Sequence, residues 1–209
     1  MPKDVDHEAR REEILEAVWT VIARDGIEKA TVRVIAAETN WSTGVLQHYF
    51  ADKDEILLAA LRLMYERIAA RGEALLEGLS GIAALHALVL ENLPLDDQRE
   101  LETKFLMNYW SRVIREGDVA PRPERRGPQL VDTLSDLVRE GQQAGEISTD
   151  ETPEDVAERL LALIDGFSLH TLLDPQRLTR ERQVELVGQE FERLRPINTT
   201  TKSKRKTNA

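Results

Sequence analysis

The chain contains no cysteine, which excludes disulfides and thiolate metal sites. Positive charge is short: 28 Lys plus Arg stand against 38 Asp plus Glu, for a net charge of -10. Non-specific affinity for nucleic acid or membrane is mostly electrostatic, so a generally adhesive binder of either is excluded, while a small local contact surface is not. No apolar run approaches the roughly 18 residues that span a bilayer. The charged start "MPKDVDHEARREE" has no apolar core of signal-peptide length. A soluble cytoplasmic protein without a membrane partner is the expectation. His7, His48, His86 and His170 are scattered, with no His–x–x–x–His or Glu–x–x–His pairing, so neither a metal nor another cofactor is expected. "GFSLH" puts Ser168 near His170 but lacks the second Gly and the strand of a nucleophile elbow. With no Gly-rich phosphate loop either, nothing supports an enzyme.

Strand patterns are missing too, because no segment alternates apolar and polar residues between hairpin turns. Apolar spacing of period 3.6 recurs instead almost from end to end. Ile14, Val18, Val21 and Ile22 stripe a first helix that stops near Gly26. Val32, Ile35 and Ala36 mark a short second helix, and Val45, Leu46 and Phe50 a short third. Asp52, with Glu55 three places on, reads as the capped start of a long helix through Met64 and Ile68. Further helices are predicted over about 82–93, 98–116, 126–144, 153–173 and 180–194, with Thr152–Pro153 as cap and first helical residue of the fourth. The 209 residues suffice for one large or two small domains, and the fold class is all-α. The polar, basic end "NTTTKSKRKTNA" reads as a disordered tail, more a solvated end than a DNA arm.

Within this frame "NWSTGVLQHYFADKDE", residues 40–55, is laid out as the turn and second helix of a helix-turn-helix. Asn40 suits the turn because Asn tolerates a left-handed backbone, and Trp41 would pack inward. Ser42 is a natural N-cap, with Thr43 and Gly44 in the first turn, the end that reaches base edges in such motifs. Gly44 weakens a helix, which suggests that something must approach the backbone closely. Gln47 and His48 can donate and accept at base edges or phosphates. Tyr49 and Lys53 have the reach and chemistry for phosphate. The blander reading, a helical corner with Tyr49 and Phe50 as core, stays open on spacing alone.

"TVRVIAAETNWSTGVLQHYFADKDEIL", residues 31–57, resembles the signature of TetR-family transcriptional regulators. The matching features are Thr31, Ile35–Ala36, Ser42–Thr43–Gly44, Tyr49–Phe50 and Lys53 through Leu57, and "REEILEAVWTVIARDGIEKAT" fits the family's first helix. Asn40 replaces the usual turn Gly. Gln47 replaces a Tyr that typically touches phosphate, leaving position 47 open to phosphate or base. The resemblance implies a homodimer that reads a near-palindromic double-stranded DNA operator and answers a small-molecule effector. It divides the chain into a DNA-binding domain at 1–51, an effector-binding and dimerisation domain at 52–196, and the tail at 197–209. "LIDGFSLHTLLDP" is similar to the BetI-like branch. Phe105, Tyr109 and Trp110, with Met64, Phe167 and His170, are the effector-pocket candidates, although for each of them core is the commoner role. Gly166, amid large residues, marks a tight helix–helix approach at the expected dimer interface. A reading from another class, a helical adaptor that binds a protein partner and not DNA, rests on the acidic first domain.

Overall fold

The structure, a computed structural model, describes residues 2–117 and 126–196; the basic tail lies outside the described residues. Every regular element among them is a helix, in the order α1 (Pro2–Asp25), α2 (Val32–Glu38), α3 (Thr43–Tyr49), α4 (Lys53–Leu76), α5 (Gly81–Glu91), α6 (Asp97–Glu116), α7 (Arg126–Gln143), α8 (Pro153–Leu173) and α9 (Arg180–Leu194). The capping residues explain where several of them begin. Ser42 Oγ accepts from the Val45 N–H at 3.3 Å, Asp52 from Glu55 at 2.8 Å, and Thr152 from Asp155 at 3.2 Å. Each such cap contributes about 1 kcal/mol. Glu55 answers Asp52 with a variation on the capping box: its carboxylate accepts from Ala51 N–H at 2.6 Å, one residue before the cap.

The turn between α2 and α3 is a Schellman closure. Asn40 takes the left-handed position at φ 59°, its N–H bonds Ala37 O at 3.4 Å, and Trp41 N–H bonds Ala36 O at 3.0 Å. Trp41 then packs, half-buried, against the first core. The Asn at the turn therefore does the geometric work that a Gly would otherwise do.

Two apolar cores follow. The first joins α1 to α4 around Ile14, Val18, Ile35, Leu46, Phe50 and Leu57, and takes in Phe105 and Tyr109 from α6. Trp19 Nε1 donates to Ala60 O at 3.0 Å, locking α1 against α4 inside it. The second is built from α5, α7, α8 and α9, around Leu85, Val89, Leu134, Leu160 and Val187. Between them Arg71 of α4 donates to both carboxylate oxygens of Glu102 on α6 at 2.9 and 2.7 Å and to Glu91 of α5 at 2.8 Å. The hydrogen bonds to Glu102 hold the Arg71 pKa well above its usual range. Glu102 is only 4% exposed, so the bidentate pair compensates a carboxylate that would otherwise be buried alone. Among the described residues no helix is long and apolar enough to cross a membrane.

Candidate DNA-binding surface and effector cavity

Helix α3 lies on the outside of the first core. Its apolar face is anchored by Leu46, fully buried, and by Phe50 at its C-cap. Ser42, Thr43, Gly44, Gln47 and His48 are exposed. A Cβ on Gly44 would meet nothing nearer than Ser42 Oγ at 3.8 Å, so the protein's own packing does not require glycine there. Tyr49 is half-buried, its ring 4.3 Å from that of His7 and 5.7 Å from that of His48. The first turns of α1 thus lie across the motif: Arg10 sits over the Trp41 ring at 5.3 Å and Arg11 over Phe50 at 5.4 Å. Cation–π contacts of this kind contribute about 0.5–1 kcal/mol at exposed sites. Lys53 is placed differently from a freely extended phosphate contact. Its ammonium donates to Ile27 O at 2.8 Å, and burial lowers its pKa.

A cavity of about 150 Å³ opens between the two cores. Helix α6 faces it with Thr103, Leu106, Met107 and Trp110, and α8 with Leu161, Ile164, Asp165 and Ser168. Both sets follow i, i+3, i+4, i+7 spacing, the stripe that one helix face presents. Tyr65 of α4, Asn92 at the α5 cap and Leu130 of α7 complete the lining.

The other face of α6 belongs to the DNA-binding end. Phe105, fully buried, and Tyr109, 2% exposed, sit in the first core, with ring centroids 6.2 Å apart. Burial raises the Tyr109 hydroxyl pKa. Further along, Arg112 pairs with Asp54 in the first turn of α4 at 2.8 Å, and Arg115 pairs with Glu28 in the α1–α2 turn. A single helix therefore touches the cavity on one side and both ends of the helix-turn-helix on the other.

Residues 14–67 match the family described as bacterial regulatory proteins of the tetR family, and residues 81–196 match the C-terminal domain of BetI-type transcriptional repressors. The chain belongs to the TetR family. This TetR-family protein is a DNA-binding transcriptional regulator, and the adaptor reading is set aside. It is 31% identical over 208 residues to the HTH-type transcriptional regulator PksA of Bacillus subtilis, covering 98% of this chain and 99% of that one. It is 33% identical over 184 residues to the HTH-type transcriptional repressor Rv1474c of Mycobacterium tuberculosis, covering 85% and 92%. Its fold is similar to that of a transcriptional regulator from Saccharomonospora viridis in complex with choline, with TM-score 0.78, 26% identity, and coverage of 88% and 96%.

In this TetR-family chain, one of the six residues expected at a pocket, Trp110, lines the cavity. Met64, Phe105 and Tyr109 belong to the first core, Phe167 packs against the second, and His170 is exposed near the end of α8. Their neighbours Tyr65, Leu106 and Ser168 are the residues that face the space. One step along a helix turns a side chain by about 100°, so an error of one position points it elsewhere. A Cβ on Gly166 would meet nothing within 4 Å among the described residues of its own protomer. The sequence reading did not anticipate that His7 and Arg10 lie against the helix-turn-helix or that Asp165 lines the cavity. A lone acid inside "LLALIDGFSLH" was the available signal for the last; the first two had none.

Proposed function

We propose that the protein acts in the cytoplasm as a homodimeric repressor that places its two α3 helices in successive major grooves of a near-palindromic operator. A small molecule in the α4–α6–α8 cavity releases it. The two-sided α6 carries this reading, since whatever displaces Trp110 on the cavity side moves Arg112 and Tyr109 on the DNA-binding side. Repression is favoured over activation because the matching C-terminal family is one of repressors. The chemistry is binding alone, with no catalysis. A gel shift on the DNA upstream of the protein's own gene, titrated with candidate small molecules, tests the whole scheme. Failure to retard any such DNA would sink it.

Roles along α3 and at the start of α4 are assigned from side-chain chemistry and position. Thr43, Gln47 and His48 are assigned to base edges, Ser42 and Gly44 to close backbone approach, and Tyr49 and Lys53 to phosphate. Lys53 would use the protons left after its bond to Ile27. Lys53→Ala is expected to weaken binding to all sequences alike and to lower the salt slope by roughly one unit per half-site. His48→Ala or Thr43→Ala is expected to relax preference at particular base pairs, by roughly 1–3 kcal/mol for each good contact. Competition binding over a salt series, on wild type and variants that all lack residues 197–209, checks both. A Lys53→Ala variant with altered sequence preference would contradict the assignment.

The dimer surface is placed on the outward stripe of α8, where Gly166 is followed by Leu169, 45% exposed, and Leu173, 69% exposed. On α9, Val184 is also exposed, and a Cβ on Gly188 would meet nothing. Gly166→Leu is expected to leave the protomer fold intact, because the added side chain meets open space, yet to weaken self-association by overpacking. Sedimentation at micromolar concentration reads this. A wild-type monomer, or a Leu variant that associates normally, would remove Gly166 from the interface.

A further inference from the structure

A second space adjoins the cavity. It is a groove of about 240 Å³ between α4, α5 and α7, with Ile68, Gly72, Leu76 and Leu88 as an apolar floor and Glu73, Gln129 and Thr133 as an exposed polar rim. Asn92 and Leu130, both half-buried, line the cavity and the groove alike, so the two spaces meet at these side chains. Along α4 the wall is continuous. Tyr65 faces the cavity, and Ile68, Ala69, Gly72 and Leu76 face the groove, at the steps of three and four that keep to one helix face. At 1.5 Å per residue this stripe is about 16 Å long. Gly72 is its unexpected member. Glycine weakens a helix interior relative to alanine, yet a Cβ at position 72 would meet Leu88 at an ordinary contact distance, 3.5 Å. The packing does not require the glycine, so the room it leaves in the groove floor is open to another use.

Shape and charge narrow what could lie there. A cavity of about 150 Å³ is roughly that of an engineered core cavity that takes benzene, so a compact molecule would leave the apolar floor of the groove to water. A longer one covers both spaces, and each CH₂ taken from water strengthens its binding. An extended chain advances about 1.2 Å per backbone bond, so about 16 Å takes a chain of roughly a dozen atoms. Among the described residues the charged groups on these walls are acids, Asp165 and Glu73, which disfavour an anionic head. The stripe from Tyr65 to Gly72 offers neither sign of charge a partner. Beside the junction, the Thr103 hydroxyl donates to Arg99 O at 2.8 Å and keeps its oxygen as an acceptor, which suits an uncharged donor on the ligand. We propose that the effector is an uncharged, chiefly apolar chain of that length with a hydroxyl-type polar group, lying along α4 from Tyr65 to Leu76 and passing Asn92 and Leu130. The assignment rests on the reading of this cavity as the effector site.

Straight-chain primary alcohols of two lengths make the test. Hexanol is short enough for the cavity alone, and decanol spans cavity and groove. Decanoate and decylamine carry the longer chain with an anionic and a cationic head. Binding to the full-length protein is measured by calorimetry, below the concentrations at which these compounds aggregate. Wild type is compared with Gly72→Leu and Thr133→Trp, which fill the groove from its floor and from its rim. Each buried CH₂ is worth about fourfold in affinity when fully enclosed, and the groove is open on one side, so decanol is expected to bind wild type roughly tenfold or more tighter than hexanol. Both variants are expected to lose most of that gain and to keep the wild-type affinity for hexanol. Thermal unfolding shows that each variant is folded, and Thr133→Trp serves if Gly72→Leu is not, because position 133 is exposed. Equal binding of the two alcohols overturns the proposal, as does an undiminished gain in the folded variants. Decanoate or decylamine binding wild type more tightly than decanol also overturns it. A parallel gel shift on wild type keeps the two readings apart. Groove-dependent decanol binding that leaves operator affinity unchanged supports the assignment of an elongated occupant while removing the regulatory reading. Failure of decanol to bind, beside an operator complex that a compact molecule still dissolves, keeps the regulatory reading and overturns this one.

Discussion

Phe105→Ala should destabilise the protein by about 3–5 kcal/mol, the usual range for truncating a fully buried Phe. The ring is 0% exposed in the first core and stacks on Tyr109, so its removal leaves a void that α1 and α4 cannot both close. Urea unfolding would show a lower midpoint at unchanged slope. Trp110→Ala, five residues along the same helix, should cost much less, because the indole is half-buried and borders space that is already open. If Phe105→Ala proves too unstable to purify, Phe105→Leu offers a milder loss on the same axis. The contrast separates core from pocket on α6. Near-wild-type stability for Phe105→Ala, joined to an altered effector response, would put that ring in the cavity instead.

The second large effect concerns regulation. Two recognition helices fit successive major grooves only when they lie roughly 34–36 Å apart, or a multiple of that. A ligand that shifts α6 acts on this spacing through Arg112 and Asp54, beside the start of α4, and through Arg115 and Glu28. By linkage, an effector that favours the wrong spacing must bind the DNA-free form more tightly, and operator must weaken effector binding by the same factor. Couplings of this kind are typically about 1–3 kcal/mol, a loss of operator affinity of roughly 5- to 150-fold. Trp110→Ala is expected to bring that ratio close to one by removing the surface the effector pushes on. Arg112→Ala should lower it too, although it does not line the cavity, because the connection to Asp54 is gone. Operator titrations with and without saturating effector give the ratio directly. A tight cavity ligand whose ratio is already one in the wild type would remove the α6 mechanism, whatever the DNA affinity.

The helix boundaries were open to sequence reading because caps are local. Ser42, Asp52 and Thr152 each satisfy a donor three residues away, Pro153 fixes its own φ, and Asn40 tolerates the left-handed turn position. The helix-turn-helix was readable for the same reason. Which side of a long helix faces a cavity is not a local property. It depends on how α4, α6 and α8 are rotated against partners that a spacing pattern does not name. Apolar residues cover α6 on two faces, toward the first core and toward the cavity, so Phe105 and Leu106 look alike in sequence though they point apart. Asp165 escaped notice because an acid on a helix is ordinarily solvated, whereas this one is half-buried at the cavity wall.

The penetration of Phe105 and Tyr109 into the first core has a consequence for anyone recombining such proteins. A hybrid cut between α3 and α4 would hand the new DNA-reading end a foreign lid for its hydrophobic interior, with Arg115 reaching for an acid that is no longer at Glu28. The natural border for grafting runs lengthwise down α6 and not across the backbone. The face bearing Phe105, Tyr109 and Arg112 should travel with the operator specificity, and the face bearing Leu106, Met107 and Trp110 with the chemical input. Interleaving the two along one helix would let new sensors be joined to old promoters without rebuilding either interior.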